Sequence, residues 1–99
     1  MESIFNYKDY RKFLRDWVYS QPKRGRGIYK QWSEFLRIEP SVLSQILSGK
    51  RTLNMDQGYE LQKNIGLSAL EAEYFSVLIQ LELAHTSKLR EHLKEKLKT

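Results

Sequence analysis

Apolar residues recur along this chain at helical spacing and divide it into six segments. From Asn6 to Ser20, Tyr7, Tyr10, Phe13, Leu14, Trp17 and Val18 fall on one broad face. Lys8, Arg11, Lys12 and Arg15 fall largely on another, which predicts an amphipathic helix. Tyr29 to Leu36 sets Trp32, Phe35 and Leu36 at i, i+3 and i+4, one buried helical face. Arg37-Ile38-Glu39 breaks the pattern as a tight turn, with Ile38 able to plug the angle between two helices. The next helix runs to Ser48. Pro40 suits its first turn, where no intrahelical partner waits for an N–H, and Ser41 can cap the exposed donors. Leu43 and Ile46 face inward with Leu47 beside them. Val42, Ser44, Gln45 and Ser48 are left outward, and Gly49 ends the helix.

Asn54 caps a helix running to Ile65, and Asp56 suits its positive end. Met55, Tyr59, Leu61 and Ile65 make its predicted inner face. Gly58 within it costs about 1 kcal/mol relative to Ala, which suggests close helix packing. Ser68 and Glu71 form a capping-box pattern before the 68–83 helix. That helix is apolar nearly all round, from Leu70 through Tyr74, Phe75, Leu78 and Leu81 to Leu83, so it needs partners on two sides. Thr86 to Lys98 is a charged helix with a narrow seam of Leu89, Leu93 and Leu97. The seam either folds back onto the 68–83 helix, the favoured reading, or pairs with another copy. Helical spacing throughout and only two prolines predict an all-α protein.

Composition narrows the class. A chain of 99 residues, 40% hydrophobic, supports one modest core. The absence of cysteine excludes disulfides, thiolate catalysis and cysteine-based zinc sites, and fits a cytoplasmic protein. No run approaches the roughly 18 apolar residues of a membrane span, and the MESIFNYKDY start lacks the apolar core of a signal peptide. His85 and His92, seven apart without a matching carboxylate, do not make a metal site. Glu71 and Glu73 point different ways on a helix, and no phosphate-binding glycine loop or nucleophile–histidine pair occurs. The expectation is a protein without enzymatic activity, cofactor or metal.

Charge points elsewhere. Residues 1–54 hold 11 Lys+Arg against 5 Asp+Glu, net +6, while residues 55–99 hold 6 against 7, net −1. A basic half that carries two short helices around a tight turn is the footprint of a DNA binder, since neutralised phosphates release counterions. The loop Gln21–Gly27, QPKRGRG, adds Lys23, Arg24 and Arg26. It reads first as a basic connection and second as an arm for a narrow minor groove; a phosphate contact suits either.

The run SVLSQILSGKRTL, with its Ser-led second helix and Gly-Lys-Arg exit, resembles the helix-turn-helix of lambda-repressor-like (Xre/Cro type) DNA-binding domains. NYKDYRKFLRDW, SGKRTL and LSALEAEYFSVLIQLELAHT, in that order, resemble the N-terminal region of a bacterial group of predicted transcriptional regulators. Members of that group usually carry a further, uncharacterised C-terminal domain. Arg37 stands where such turns often carry Gly.

The resemblance implies a five- or six-helix helix-turn-helix domain over 1–85 with a helical extension over 86–99. It implies a transcriptional regulator whose 41–48 helix enters the major groove of double-stranded DNA. Ser41, Val42, Ser44 and Gln45 would then meet base edges, and Tyr29, Lys30, Gln31, Lys50 and Arg51 would hold phosphates. A homodimer through the 68–83 helix, and through the 86–98 helix if its seam pairs, would set two such helices on one duplex. The alternative is a protein-interaction adaptor that keeps the fold and binds a partner through the long apolar helix.

Overall fold

Asp9, in extended conformation, accepts a hydrogen bond from the Arg11 N–H and starts the first α-helix later than the apolar pattern predicts. The computed structural model describes residues 1–98. Ile4–Asn6 is a separate single turn, capped by Ser3, and α1 is Tyr10–Ser20. Then follow α2 (Ile28–Leu36), α3 (Pro40–Ser48), α4 (Met55–Ile65), α5 (Ala69–Leu83) and α6 (Ser87–Leu97). The protein is all-helical, with six α-helices and no strand among the described residues. Contacts gather into two compact units, one from Met1 to Arg51 and the other from Thr52 onward.

In the first unit, Tyr10, Phe13, Leu14 and Val18 of α1 are buried, with Ile4 and Tyr7 from the segment before it. Trp32 of α2 and Leu43 and Ile46 of α3 are buried as well. Trp17 stacks on Trp32, ring centroids 5.8 Å apart and planes within 16°. Two expectations need correction. Arg11, assigned to the basic outer face of α1, is 6% exposed. Phe35, assigned to the inner face of α2, is 39% exposed, because that helix turns Ser33 inward beside the expected Trp32.

In the second unit, the predicted Ser68–Glu71 capping box forms, and the predicted cap Asn54 proves to be half of a second box. Asn54 exchanges hydrogen bonds with Gln57 at 3.0 and 2.8 Å, and Ser68 with Glu71 at 2.9 and 3.3 Å. The face of α4 is rotated from the predicted one. Gly58 and Leu61 are buried, while Met55 and Tyr59 are 39% and 52% exposed. Gly58 explains the rotation: a Cβ there would lie 2.5 Å from Cδ1 of Ile79 on α5, so the two helices meet at the residue with no side chain. α5 has α4 and α6 as neighbours and buries Tyr74, Phe75, Val77, Leu78 and Ile79. α6 folds back onto α5 through Leu93, 1% exposed, and through Arg90, whose Nη1–H donates to the Leu81 carbonyl at 2.7 Å. α6 therefore belongs with α4 and α5, in the unit that begins at Thr52. Of the leucine seam, Leu89 remains 46% exposed.

Candidate nucleic-acid interface

The turn between α2 and α3 is built on Arg37. Its backbone is left-handed, φ 57° and ψ 44°, the conformation glycine adopts most easily. The Arg37 N–H donates to Glu34 at 3.2 Å and the Ile38 N–H to the Ser33 carbonyl at 3.0 Å. This pair of bonds closes the end of α2, and three residues separate it from α3. Pro40 then opens α3 in its first turn. Ser41 is not the cap. The position before the helix is Glu39, which makes no side-chain cap, so the Ser41 side chain stands exposed on the first turn.

Along α3, Leu43 and Ile46 point into the unit. Ser41 and Ser44 are exposed, and Val42 and Gln45 are half-buried. The four lie on consecutive turns of one helix, as the sequence expects of an outward face. Gln45 is engaged within the protein: its Oε1 accepts a short hydrogen bond from Nε–H of Arg51. That leaves its amide N–H groups as the donors the residue can offer, unless Arg51 lets go.

The far end of α3 is held from two directions. Gly49 takes φ 95°, and the N–H groups of Lys50 and Arg51 return to the Gln45 carbonyl at 2.9 and 3.2 Å. From α1, Nε–H of Arg11 donates to the Ile46 carbonyl at 2.6 Å, and Nη1–H of Arg15 donates to the Leu47 carbonyl at 2.6 Å. Two guanidinium groups thus meet the negative end of α3. Nη2–H of Arg11 also donates to the Arg51 carbonyl at 2.7 Å, which pins the chain just past Lys50. Asp9 lies 3.7 Å from the same guanidinium. Neither arginine was assigned this role from sequence. The signal was there for Arg11, which continues the buried line Tyr7, Leu14, Val18 at helical spacing.

Tyr29, Lys30 and Gln31 are exposed on the first turn of α2. Gly27 precedes that helix with φ 89° and offers no side-chain oxygen, so no side chain caps its first N–H groups. Tyr29 packs edge-on against Trp32 with centroids 5.9 Å apart. Burial raises its phenol above the ordinary value, while the charge of Arg15 works in the opposite direction.

Lys23, Arg24 and Arg26 belong to a compact turn anchored on α1, not to an extended arm. Lys23, Arg24 and Gly25 have φ of 57°, 56° and 75° in succession. Gly25 is required there, because a Cβ would fall 2.3 Å from the Val18 carbonyl oxygen. The Arg24 guanidinium lies 5.6 Å from the centroid of the Tyr19 ring. All three basic side chains are exposed.

Among the described residues, no group of three or more His, Asp or Glu side chains could hold a metal ion, and no helix is long and apolar enough to cross a membrane. No protein family, no curated protein and no solved structure matches the chain.

Proposed function

We propose that the protein is a sequence-specific, duplex-DNA-binding transcriptional regulator of the lambda-repressor-like (Xre/Cro type) helix-turn-helix class, with α3 in the major groove. The observation that carries this reading is the outward face of α3. Ser41, Val42, Ser44 and Gln45 lie together on a helix whose far end is braced by Arg11 and Arg15. Net charge supports it, since +6 lies in residues 1–51. In this reading the four residues meet base edges. Gln45 offers a donor to a purine N7, and Val42 offers a methyl contact to thymine. Tyr29, Lys30 and Gln31 hold a phosphate at the start of α2, where backbone N–H groups favour an anion. Lys50 and Arg51 hold another beyond α3, and Lys23, Arg24 and Arg26 add positive charge from their turn. A homodimer in the cytoplasm would read two half-sites about 34 Å apart.

The second reading, a protein-interaction adaptor, is favoured by apolar side chains left open on the second unit: Leu70 is 72% exposed, and Met55 and Tyr59 are open as well. Selection of random duplexes by the purified protein at about 0.15 M salt separates the two. An enriched motif with paired half-sites supports the dimeric regulator, and a single-block motif keeps the regulator and removes the dimer. Salt-sensitive sticking without enrichment moves the assignment to the adaptor.

A further inference from the structure

Between α2 and α3 lies a groove of about 380 Å³, within the size range of small-molecule sites. Much of its wall is apolar: Tyr29, Pro40, Leu43 and Leu47. Two cations line it as well, Arg15 from α1 and Lys30 from α2, and no carboxylate does. Arg15 is held in place by its 2.6 Å bond to the Leu47 carbonyl, and that bond uses one of the five N–H donors of a guanidinium. Its charge reaches Tyr29, where it opposes the effect of burial on the phenol.

A phosphodiester needs the cations of this groove and gains nothing from the apolar wall. A molecule with a charged head and an apolar body gains from both, because burying hydrocarbon and pairing a carboxylate with a guanidinium are separate favourable terms. We propose that the groove binds a small amphipathic carboxylate, with its head at Arg15 and Lys30 and its body against Pro40, Leu43 and Leu47. Ser44 also lines the groove, and Tyr29 and Lys30 are the residues assigned to a phosphate. An occupied groove therefore excludes the duplex, which makes the ligand a direct competitor of DNA. The exclusion rests on the DNA-binding reading; the binding itself does not.

The probe is 1-naphthoate, with uncharged 1-naphthamide as its control, titrated into the full chain labelled for amide NMR. Naphthoate is expected to shift the Tyr29, Lys30, Ser44 and Leu47 amides saturably, with Kd of about 1 mM or tighter for a ligand of this size. Naphthamide is expected to bind about tenfold more weakly. Lys30→Gln, a change at an exposed position, should weaken naphthoate several-fold and leave naphthamide as it was. Absence of saturable shifts at these residues overturns the proposal, and so does equal affinity for the two probes.

Displacement of a fluorescent duplex is read in parallel. A protein that binds naphthoate but no duplex refutes the DNA-binding reading alone. A protein that binds duplex but shows no naphthoate shifts refutes the groove alone. Naphthoate and duplex bound together overturn the exclusion.

Discussion

Arg11 and Ile46 stand 35 residues apart and are joined by one hydrogen bond, Nε–H to carbonyl, at 2.6 Å. The bond is buried, and the same guanidinium reaches the Arg51 carbonyl at 2.7 Å. One side chain of α1 thus fixes both the end of α3 and the segment that leaves it. Arg11→Met should destabilise the protein by about 3 kcal/mol, since it strips a charged donor from a buried carbonyl. Arg11→Lys keeps the charge but loses the fork and should cost about half as much. Arg15→Ala removes a similar bond in an exposed setting and should cost under about 1 kcal/mol. Urea unfolding checks the order, and equal losses at 11 and 15 would contradict it.

Arg37 holds a left-handed backbone that a side chain disfavours by about 1–2 kcal/mol. Glycine removes that penalty and adds about 0.5–1 kcal/mol of chain entropy to lose on folding. Arg37→Gly should therefore stabilise the protein by up to about 1 kcal/mol, and Arg37→Val should destabilise it by a similar amount. Thermal melting of the two variants reads the sign. A loss of stability in Arg37→Gly would mean that the arginine side chain contributes more than its backbone costs.

Gly58 and Ile79 are predicted to be coupled. Gly58→Ala gains about 1 kcal/mol of helix propensity and meets Cδ1 of Ile79 in the core, an overpacking that costs about 1–3 kcal/mol. Alone it should be destabilising. With Ile79→Val in the same chain the clashing methyl is gone, and the alanine should become neutral or stabilising. The double-mutant cycle should give an interaction energy above about 0.5 kcal/mol; additivity would show that Ile79 moves aside without cost.

Tyr7 links stability to alkaline pH. Its hydroxyl donates to Oδ2 of Asp16 at 2.7 Å; that bond first, and burial second, push the phenol up from 10.0 to about 12. The folded protein therefore keeps this proton to higher pH than the unfolded chain does. The stability tied to it is whole below pH 10 and is lost as pH rises towards 12. Tyr7→Phe has no proton to lose and should show a shallower fall in Tm across that window. Parallel curves for the two proteins would remove Tyr7 from the alkaline transition.

On DNA, Gln45→Ala should relax base preference at one position by about 1–3 kcal/mol. Lys50→Ala should weaken all duplexes alike and reduce the salt slope by about one. Arg51→Ala should do both, because Arg51 carries charge and also holds the Gln45 amide. Sequence-blind losses of equal size from all three would remove Gln45 as a reader.

The sequence alone determined what depends on near neighbours. The existence of six helices, the caps at Asn54 and Ser68, the glycine end at Gly49 and the Pro40 start of α3 are local matters of backbone geometry and of orphan N–H groups, and each is found where the residues imply. The outward residues of α3 were legible too, since a short helix with Leu43 and Ile46 inward leaves Ser41 and Ser44 outside. Tertiary structure decided which face of α2 and of α4 is buried. Apolar periodicity set Phe35, Met55 and Tyr59 inward, but the closest approach to α4 is set by Gly58, which periodicity cannot see. It also decided the fate of charges. A buried arginine is tolerated only where partners satisfy it, and the carbonyls that accept from Arg11 are 35 and 40 residues away. Residue type made Arg11 look like surface, and the end of α3 made it core.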